Sequence, residues 1–324
     1  MKAVDMHCDT ISELFAKRRE GSTETLFCNS GHIDLEKLKK GDALLQNFAL
    51  FINKRKCEDP YEEAGRMADF YYRELYENIE WIAPVFTWKD MEKNRLEGKI
   101  SALLTVEEGA VCRGSVDCLH RLYGWGVRMM TLTWNYPNEI GYPNLNADAD
   151  EISLYLADQE HGLTAGGVEI VKEMERIGMI IDVSHLSDAG FYDVLAQTEK
   201  PFVASHSNAR ELCPCVRNLT DDMIGRLAER GGVIGLNFCP DFLSEGNPGT
   251  MEAVVAHARH IVKTGGIDCL GLGSDFDGIP THAELPDYSF LPRLSDAFRH
   301  AGFTQNEVEK IFSGNVLRLY RELL

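Results

Sequence analysis

The chain has 324 residues, 44% of them hydrophobic and 9% aromatic, which is enough apolar material for a large core and excludes a disordered or fibrous chain. A formal net charge of −18 at pH 7 repels phosphate backbones and anionic lipid, so nucleic acid is not an expected partner. No apolar run approaches the ~20 residues that span a bilayer. The nine cysteines form no CxxC pair and no regular framework, the pattern of reduced thiols in a cytosolic protein. Met1-Lys2 leads straight into a structured-looking segment with no apolar signal region, and the terminal "NVLRLYRELL" is too charged for a lipid-anchor tail. The expected location is therefore cytoplasmic, without a membrane anchor.

Short apolar runs bounded by turn residues predict eight strands: 3–7, 47–52 ("NFALFI"), 101–106 ("SALLTV"), 128–133 ("RMMTLT"), 179–184 ("MIIDVS"), 201–205 ("PFVAS"), 233–238 ("VIGLNF") and 269–273 ("CLGLG"). Between them, helical periodicity marks 61–81, 164–177, 187–197, 221–230 and 251–264. A last helix is predicted over 304–324, with Thr304 as N-cap and Glu307 in the capping-box position. Strands alternating with helices, without hairpin signals, indicate a parallel α/β protein, and eight such units match a (β/α)8 TIM barrel. A doubly wound open sheet is the alternative, but no GxGxxG follows the first strand. Residues 1–324 are expected to form one barrel domain, with helical or lid-like insertions near 86–98 and 135–163.

The polar residues then acquire addresses. His7 and Asp9 end the first predicted strand, Glu107 and Glu108 the third, His185 the fifth, His206 the sixth, and Asp275 and Asp277 the eighth. All lie at C-terminal strand ends, the barrel face where catalytic residues gather. Alternate strand residues share a face, so His7 and Asp9 project together and Cys8 turns away. Glu107 and Glu108 have opposite parity, so at most one faces inward, and alternation does not decide which. His185 and His206, on adjacent strands, can share one metal. Of Asp275 and Asp277, one can serve as general base while the other holds a loop. Asp5 is a candidate to orient a ligand from one step deeper, whereas Asp182 is expected to face the helices. His32, His120, His161, His282 and His300 read as surface or loop residues, and His257 with His260 as a solvated basic face.

Taken together, "VDMHCDT", "LLTVEEG", "MIIDVSHLS", "FVASHSNAR", "VRNLTDD" and "GLGSDFDG" resemble the membrane dipeptidase (renal dipeptidase) family, peptidase family M19, in the family's order and over roughly residues 4 to 280. The resemblance implies a metal-dependent hydrolase barrel carrying two divalent ions, zinc in the family. It implies that His7 and Asp9 bind the first ion, His185 and His206 the second, and Glu107 both. Asp275 would be the catalytic acid–base and Arg217 the clamp for the substrate's C-terminal carboxylate. One departure stands out: where better-known members carry a histidine after "TLT", this chain has Trp134, followed by Asn135. Trp offers only an indole N–H and cannot act as acid or base, so substrate preference is where this chain would differ. Better-known members are also exported and lipid-anchored, a location this sequence does not support.

The expected activity is hydrolysis of dipeptides by a hydroxide bridging the two cations, with Glu107 and Asp275 as the catalytic carboxylates and Arg217, Trp134, Asn135 and Asp275 contacting substrate. The resemblance also implies a homodimer. A different dinuclear amidohydrolase-like barrel, acting on cyclic amides or lactones, is the alternative. That group typically opens with HxH where this chain has HxD. A non-catalytic metal-binding barrel is a third reading. A mixed histidine and carboxylate set does not by itself select the metal.

Overall fold

The structure, a computed structural model, describes residues 1–149, 152–244, 246 and 249–324. Among them nine parallel strands form: β1 (Ala3–Asp5), β2 (Ala43–Phe51), β3 (Ile82–Pro84), β4 (Ile100–Glu107), β5 (Val127–Thr131), β6 (Ile180–Asp182), β7 (Val203–Ala204), β8 (Val233–Leu236) and β9 (Leu270–Leu272). The order is β2-β1-β9-β8-β7-β6-β5-β4-β3, and β2 also pairs with β4 from Leu45↔Ser101 to Phe51↔Glu107. That pairing closes eight strands into a TIM barrel wrapped by helices. The ninth, β3, was not expected. Its three residues "IAP" are too short for a pattern and include a proline. It lies along the start of β4, Ile82↔Ile100 to Pro84↔Ala102, before β5 takes over at Leu104↔Val127.

Period-two alternation sorts each strand into an inner and an outer face. On β4, Ala102, Leu104 and Val106 pack in the core shared with the helices. Leu103 points the other way, into a layer with Val4, Leu45, Met129, Ile180, Val203 and Val233, nearly one residue from each barrel strand. Val316, Leu319 and Tyr320 of the C-terminal helix, Asn315–Leu323, plug this layer. Each fully buried Val or Leu contributes about 1.5–3 kcal/mol. On five of these strands the inner position two residues further along turns polar: Asn47, Thr105, Thr131, Asp182 and Ser205, all buried. One more step along β4 brings Glu107. The barrel is thus apolar at one end and polar towards its C-terminal mouth.

Gly235 of β8 and Gly273, just past β9, put no side chain into the interior. A Cβ on Gly273 would stand 1.7 Å from the Ser205 carbonyl oxygen, and one on Gly235 2.0 Å from the same atom. The backbone after β7 therefore occupies space that only glycine leaves open.

The helices follow their caps. Thr164 accepts from Gly167 N at the start of Ala165–Ile177, and Gly178 (φ 80°) ends it. Thr304 and Glu307 form the expected capping box, but a π-turn at Lys310–Gly314 interrupts the single helix predicted beyond them. Within 86–98, Trp88–Leu96 is helical. Within 135–163 no helix occurs among the described residues, and residues 150 and 151 lie outside them. That loop is instead pinned by isolated bridges, Gly141↔Leu163 and Pro143↔Leu186.

Gly273→Ala should destabilise the fold by the upper end of the roughly 1–3 kcal/mol typical of overpacking, because the obstructing atom is backbone. Gly225→Ala, in mid-helix with open space around it, should instead stabilise by roughly 0.5–1 kcal/mol. Chemical denaturation of both variants checks the pair, and a tolerated Gly273→Ala would contradict the close approach.

Candidate metal centre

Six ligand-type side chains converge at the barrel mouth, and all are buried: His7, Asp9, Glu107, His185, His206 and Asp275. His7 Nε2 lies 3.5 Å from Asp9 Oδ2, 3.3 Å from Glu107 Oε2 and 3.8 Å from Asp275 Oδ1. The other oxygen of Glu107 serves the opposite side, with Oε1 2.8 Å from His185 Nε2 and 3.6 Å from His206 Nε2. Two sets of ligand atoms are mutually close enough to hold an ion, His7–Glu107–His206 and His7–Asp9–Asp275. Cys8 turns towards the helix-side core, its thiol on the Asn47 carbonyl at 3.3 Å.

Several of these residues sit just beyond their strands on left-handed backbone: Glu108 at φ 104°, His185 at 70° and Asp275 at 62°. Asp and His tolerate this region better than most residues. The turns break the alternation, so parity counted across them fails. Glu107, the last residue of β4, faces the cluster. Glu108 swings away and accepts from Ala110 N at 2.9 Å and Asn138 Nδ2 at 2.5 Å. Asp277 leaves the cluster to accept from Thr10 Oγ1 at 2.6 Å and to hold the loop at His32. Asp182 does not face the helices. It shares the inner face with Ile180, and the expectation erred by counting back from His185 through a turn. Asp5 accepts from Ser274 N and Oγ at 2.8 and 2.6 Å and from His7 N at 3.4 Å, so it holds backbone, not the imidazole ring.

The imidazoles are held from behind. His185 Nδ1 meets Asn135 Oδ1 at 2.9 Å. An amide oxygen only accepts, so Nδ1 carries the proton and Nε2 presents a lone pair. His206 Nδ1 meets Ser205 Oγ at 2.7 Å. The two Nε2 atoms lie 3.0 Å apart. Asp275 is fixed by Asn237 Nδ2 on Oδ2 at 2.9 Å. Asn144 links three pieces of the mouth: it donates to Asp188 Oδ1 and the Val216 carbonyl, and its backbone N–H reaches the His185 carbonyl. Asp182, Ser205, Asn237 and Asn144 were not recognised as site residues. For the first two the signal was present, a polar residue two positions after an inward apolar one.

Burial and mutual repulsion dominate the electrostatics. Burial, then the Glu107 charge, pushes Asp9 up to about 7, and burial takes Asp275 to about 6 against the opposing pull of His7. Burial disfavours the charged form of His7, but Glu107 and Asp9 outweigh it and its pKa rises well above the usual value. Burial drops His185 to about 4 and holds His206 well below its ordinary range.

On the substrate side, Arg217 is 3% exposed, its Nε has no hydrogen-bond partner, and it makes no ion pair among the described residues. Its Nη2 reaches only the His206 carbonyl, at 3.4 Å. Trp134 packs against Phe51 and Tyr136 at centroid distances of 4.9 and 5.4 Å and faces the His185 ring at 6.5 Å. His282 lies in a loop, as expected, and is buried there, accepting from Leu285 N. The expectation for His257 fails. His257 is buried between Ala209 N and the Leu243 carbonyl, so its helix face is not solvated there.

The residues fit a divalent cation. His7 Nε2 and Asp9 Oδ1 are buried without a hydrogen-bond partner, and the donors are imidazole nitrogens and carboxylate oxygens, the set used by zinc and similar ions. The raised carboxylates give the stability a sign. An acid whose pKa is higher folded than unfolded costs stability above the folded value, and the cost fades as pH falls towards the ordinary 3.8. Bound cations offset that cost where both groups are charged. Chelation should therefore lower Tm more at pH 8 than at pH 5.5. Calorimetry with and without chelator checks this, and an equal loss at both pH values would count against it.

A family model described as membrane dipeptidase (peptidase family M19) matches residues 1–323. The chain is 32% identical over 311 residues to the dipeptidase tcpJ of Claviceps purpurea, covering 91% of this chain and 70% of that protein. An uncharacterized dipeptidase of Schizosaccharomyces pombe is 32% identical over 314 residues, covering 90% and 72%. Among solved structures, the metallopeptidase dipeptidase AC of family M19 superposes with a TM-score of 0.90 at 27% identity, covering 100% of this chain and 98% of that one. A metallopeptidase of Rhodobacter sphaeroides, liganded with a phosphinate mimic of the dipeptide L-Ala-D-Ala, gives 0.90 at 26%, covering 100% and 99%. Barrel, clustered ligands and matches over nearly the whole length agree: the chain belongs to the membrane dipeptidase family, peptidase family M19, and is a metallo-dipeptidase.

Proposed function

We propose that residues 1–324 form one catalytic unit that hydrolyses dipeptides with two divalent cations, zinc being the ion that the family resemblance suggests. The observation that carries the two-ion reading is the division of Glu107, one oxygen towards His7 and the other towards His185 and His206. His7 and Asp9 would hold one ion, His185 and His206 the other, and Glu107 both. When bound, such ions polarise the scissile carbonyl and acidify water, so that a nucleophile is available near neutral pH.

The chain's own residues supply the rest. Asp275, anchored through Oδ2 by Asn237, keeps Oδ1 towards the cluster, where it takes the proton of the attacking water and returns it to the leaving amine. The buried, unpaired guanidinium of Arg217 suits a free C-terminal carboxylate, which would remove the cost of leaving that charge uncompensated. That clamp limits substrates to short peptides with a free C-terminus. The dipeptide mimic bound by the Rhodobacter sphaeroides relative supports the same size class. Trp134 walls the substrate side with Phe51 and Tyr136 and offers its indole N–H to substrate. Asn135 contributes its amide NH2, its oxygen being engaged by His185.

No helix among the described residues is long and apolar enough to cross a membrane. The nine cysteines form no disulfide among the described residues, which supports a reducing, cytoplasmic setting, and a homodimer is the assembly the family resemblance suggests.

Asp275→Asn should retain the wild-type metal content and lose roughly 10²–10⁴-fold in kcat, the usual share of general acid–base catalysis. Unchanged turnover removes the role. Arg217→Met should collapse the preference for a dipeptide over its C-terminal amide by about 10- to 100-fold, matching the ~1.5–3 kcal/mol of a charged hydrogen bond. If the variant discriminates as well as wild type, the carboxylate clamp lies elsewhere.

A further inference from the structure

Asp182 is fully buried inside the barrel and makes no ion pair among the described residues. An unpaired buried carboxylate is expensive unless its lone pairs are all used. Here four donors converge on it. Oδ1 accepts from Ser184 N at 3.0 Å and Ser205 N at 2.9 Å. Oδ2 accepts from Ser205 Oγ at 2.5 Å and Thr131 Oγ1 at 2.6 Å.

These contacts have a directional consequence. A carboxylate only accepts, and a serine hydroxyl has one hydrogen to give. The 2.5 Å contact commits the Ser205 hydrogen to Asp182, since two acceptors would otherwise face each other. Ser205 Oγ must then accept at its remaining contacts, Ser184 Oγ at 3.4 Å and His206 Nδ1 at 2.7 Å. Nδ1 is therefore protonated, and the His206 lone pair sits on Nε2, the atom that faces Glu107 and His185.

We infer that Asp182, acting through Ser205, is a positioning residue that locks His206 in the one tautomer able to ligate through Nε2. The inference rests on the reading of His206 as a ligand. It concerns the preparation of the free ring and not the reaction. His185 obtains the same tautomer by a separate device, the Asn135 side-chain carbonyl, so each Nδ1 has its own partner although the two Nε2 atoms lie 3.0 Å apart.

Asp182→Asn is the informative change because it is nearly isosteric and reverses the chain. If the amide oxygen keeps the two backbone donors of Oδ1, the NH2 replaces Oδ2 and donates to Ser205 Oγ. The hydroxyl hydrogen then turns to His206 Nδ1, and the proton of the ring moves to Nε2. Ser205→Ala removes the relay without reversing it and leaves a mixture.

The test is 15N NMR of histidine-labelled, metal-free protein at pH 8, together with zinc affinity. Wild type should show His206 protonated on Nδ1, Asp182→Asn on Nε2, and Ser205→Ala both forms. His185 should keep its Nδ1 proton throughout, only its Nε2 resonance responding to the new His206 N–H 3.0 Å away, which general damage to the site would not permit. Zinc should bind Asp182→Asn about 10- to 100-fold more weakly, the usual range for such outer partners, and more weakly than it binds Ser205→Ala. An Asp182→Asn protein with the wild-type tautomer overturns the inference. Should that variant fail to fold, a wholly Nδ1-protonated His206 in Ser205→Ala overturns it equally. The tautomer is read without substrate, so inactivity on dipeptides would leave this result standing.

Discussion

Three carboxylates, Asp9, Glu107 and Asp275, are buried within 4 Å of one imidazole nitrogen, His7 Nε2. Such crowding is unfavourable by itself, and the raised pKa values of Asp9 and Asp275 record it. Protons relieve it at low pH and cations relieve it at neutral pH. Much of the surrounding structure holds the crowd in place: Asn237 on Asp275, Asn135 on His185, and the Asp182–Ser205 pair behind His206. An affinity of the mouth for divalent ions would follow from carboxylates that the backbone does not allow to separate.

The same two-residue period builds the support and the site. Leu45, Leu103, Met129, Ile180 and Val203 fill the barrel, and the inner residues two positions on, Asn47, Thr105, Thr131, Asp182 and Ser205, form a polar shelf. Tyr320 of the plugging helix links the layers, accepting from Asn47 Nδ2 at 2.7 Å. The shelf lets a charged mouth sit on an apolar core, with Asn47 Oδ1 the shelf atom that has no hydrogen-bond partner. Gly235 and Gly273 clear the volume that the Ser205 carbonyl occupies, directly before His206.

Much of this was legible in the sequence where the chain is regular. The eight barrel strands, the convergence of His7 and Asp9 and the Thr304–Glu307 cap follow from period and spacing, and the structure contains them. Legibility ended where the backbone turns. Alternation could not choose between Glu107 and Glu108 because the choice is made at a residue with φ 104°. It misplaced Asp182 because the count crossed the left-handed His185. Strand β3 is three residues long and cannot show a period. The burial of His257 depends on Ala209 and Leu243, distant in sequence, and no local pattern carries it. Arg217 was placed by family resemblance alone, and its lack of an ion pair is visible only in three dimensions.

The most direct test of the two-ion dipeptidase account is the rate of hydrolysis of a dipeptide panel, L,L and L,D pairs included, measured as divalent metal is titrated into metal-free protein and counted per chain. The account predicts that dipeptides are cleaved and that full activity is reached only at two ions per chain. Full activity at one ion, or turnover of lactones or hydantoins with no dipeptide cleaved at any loading, would contradict it.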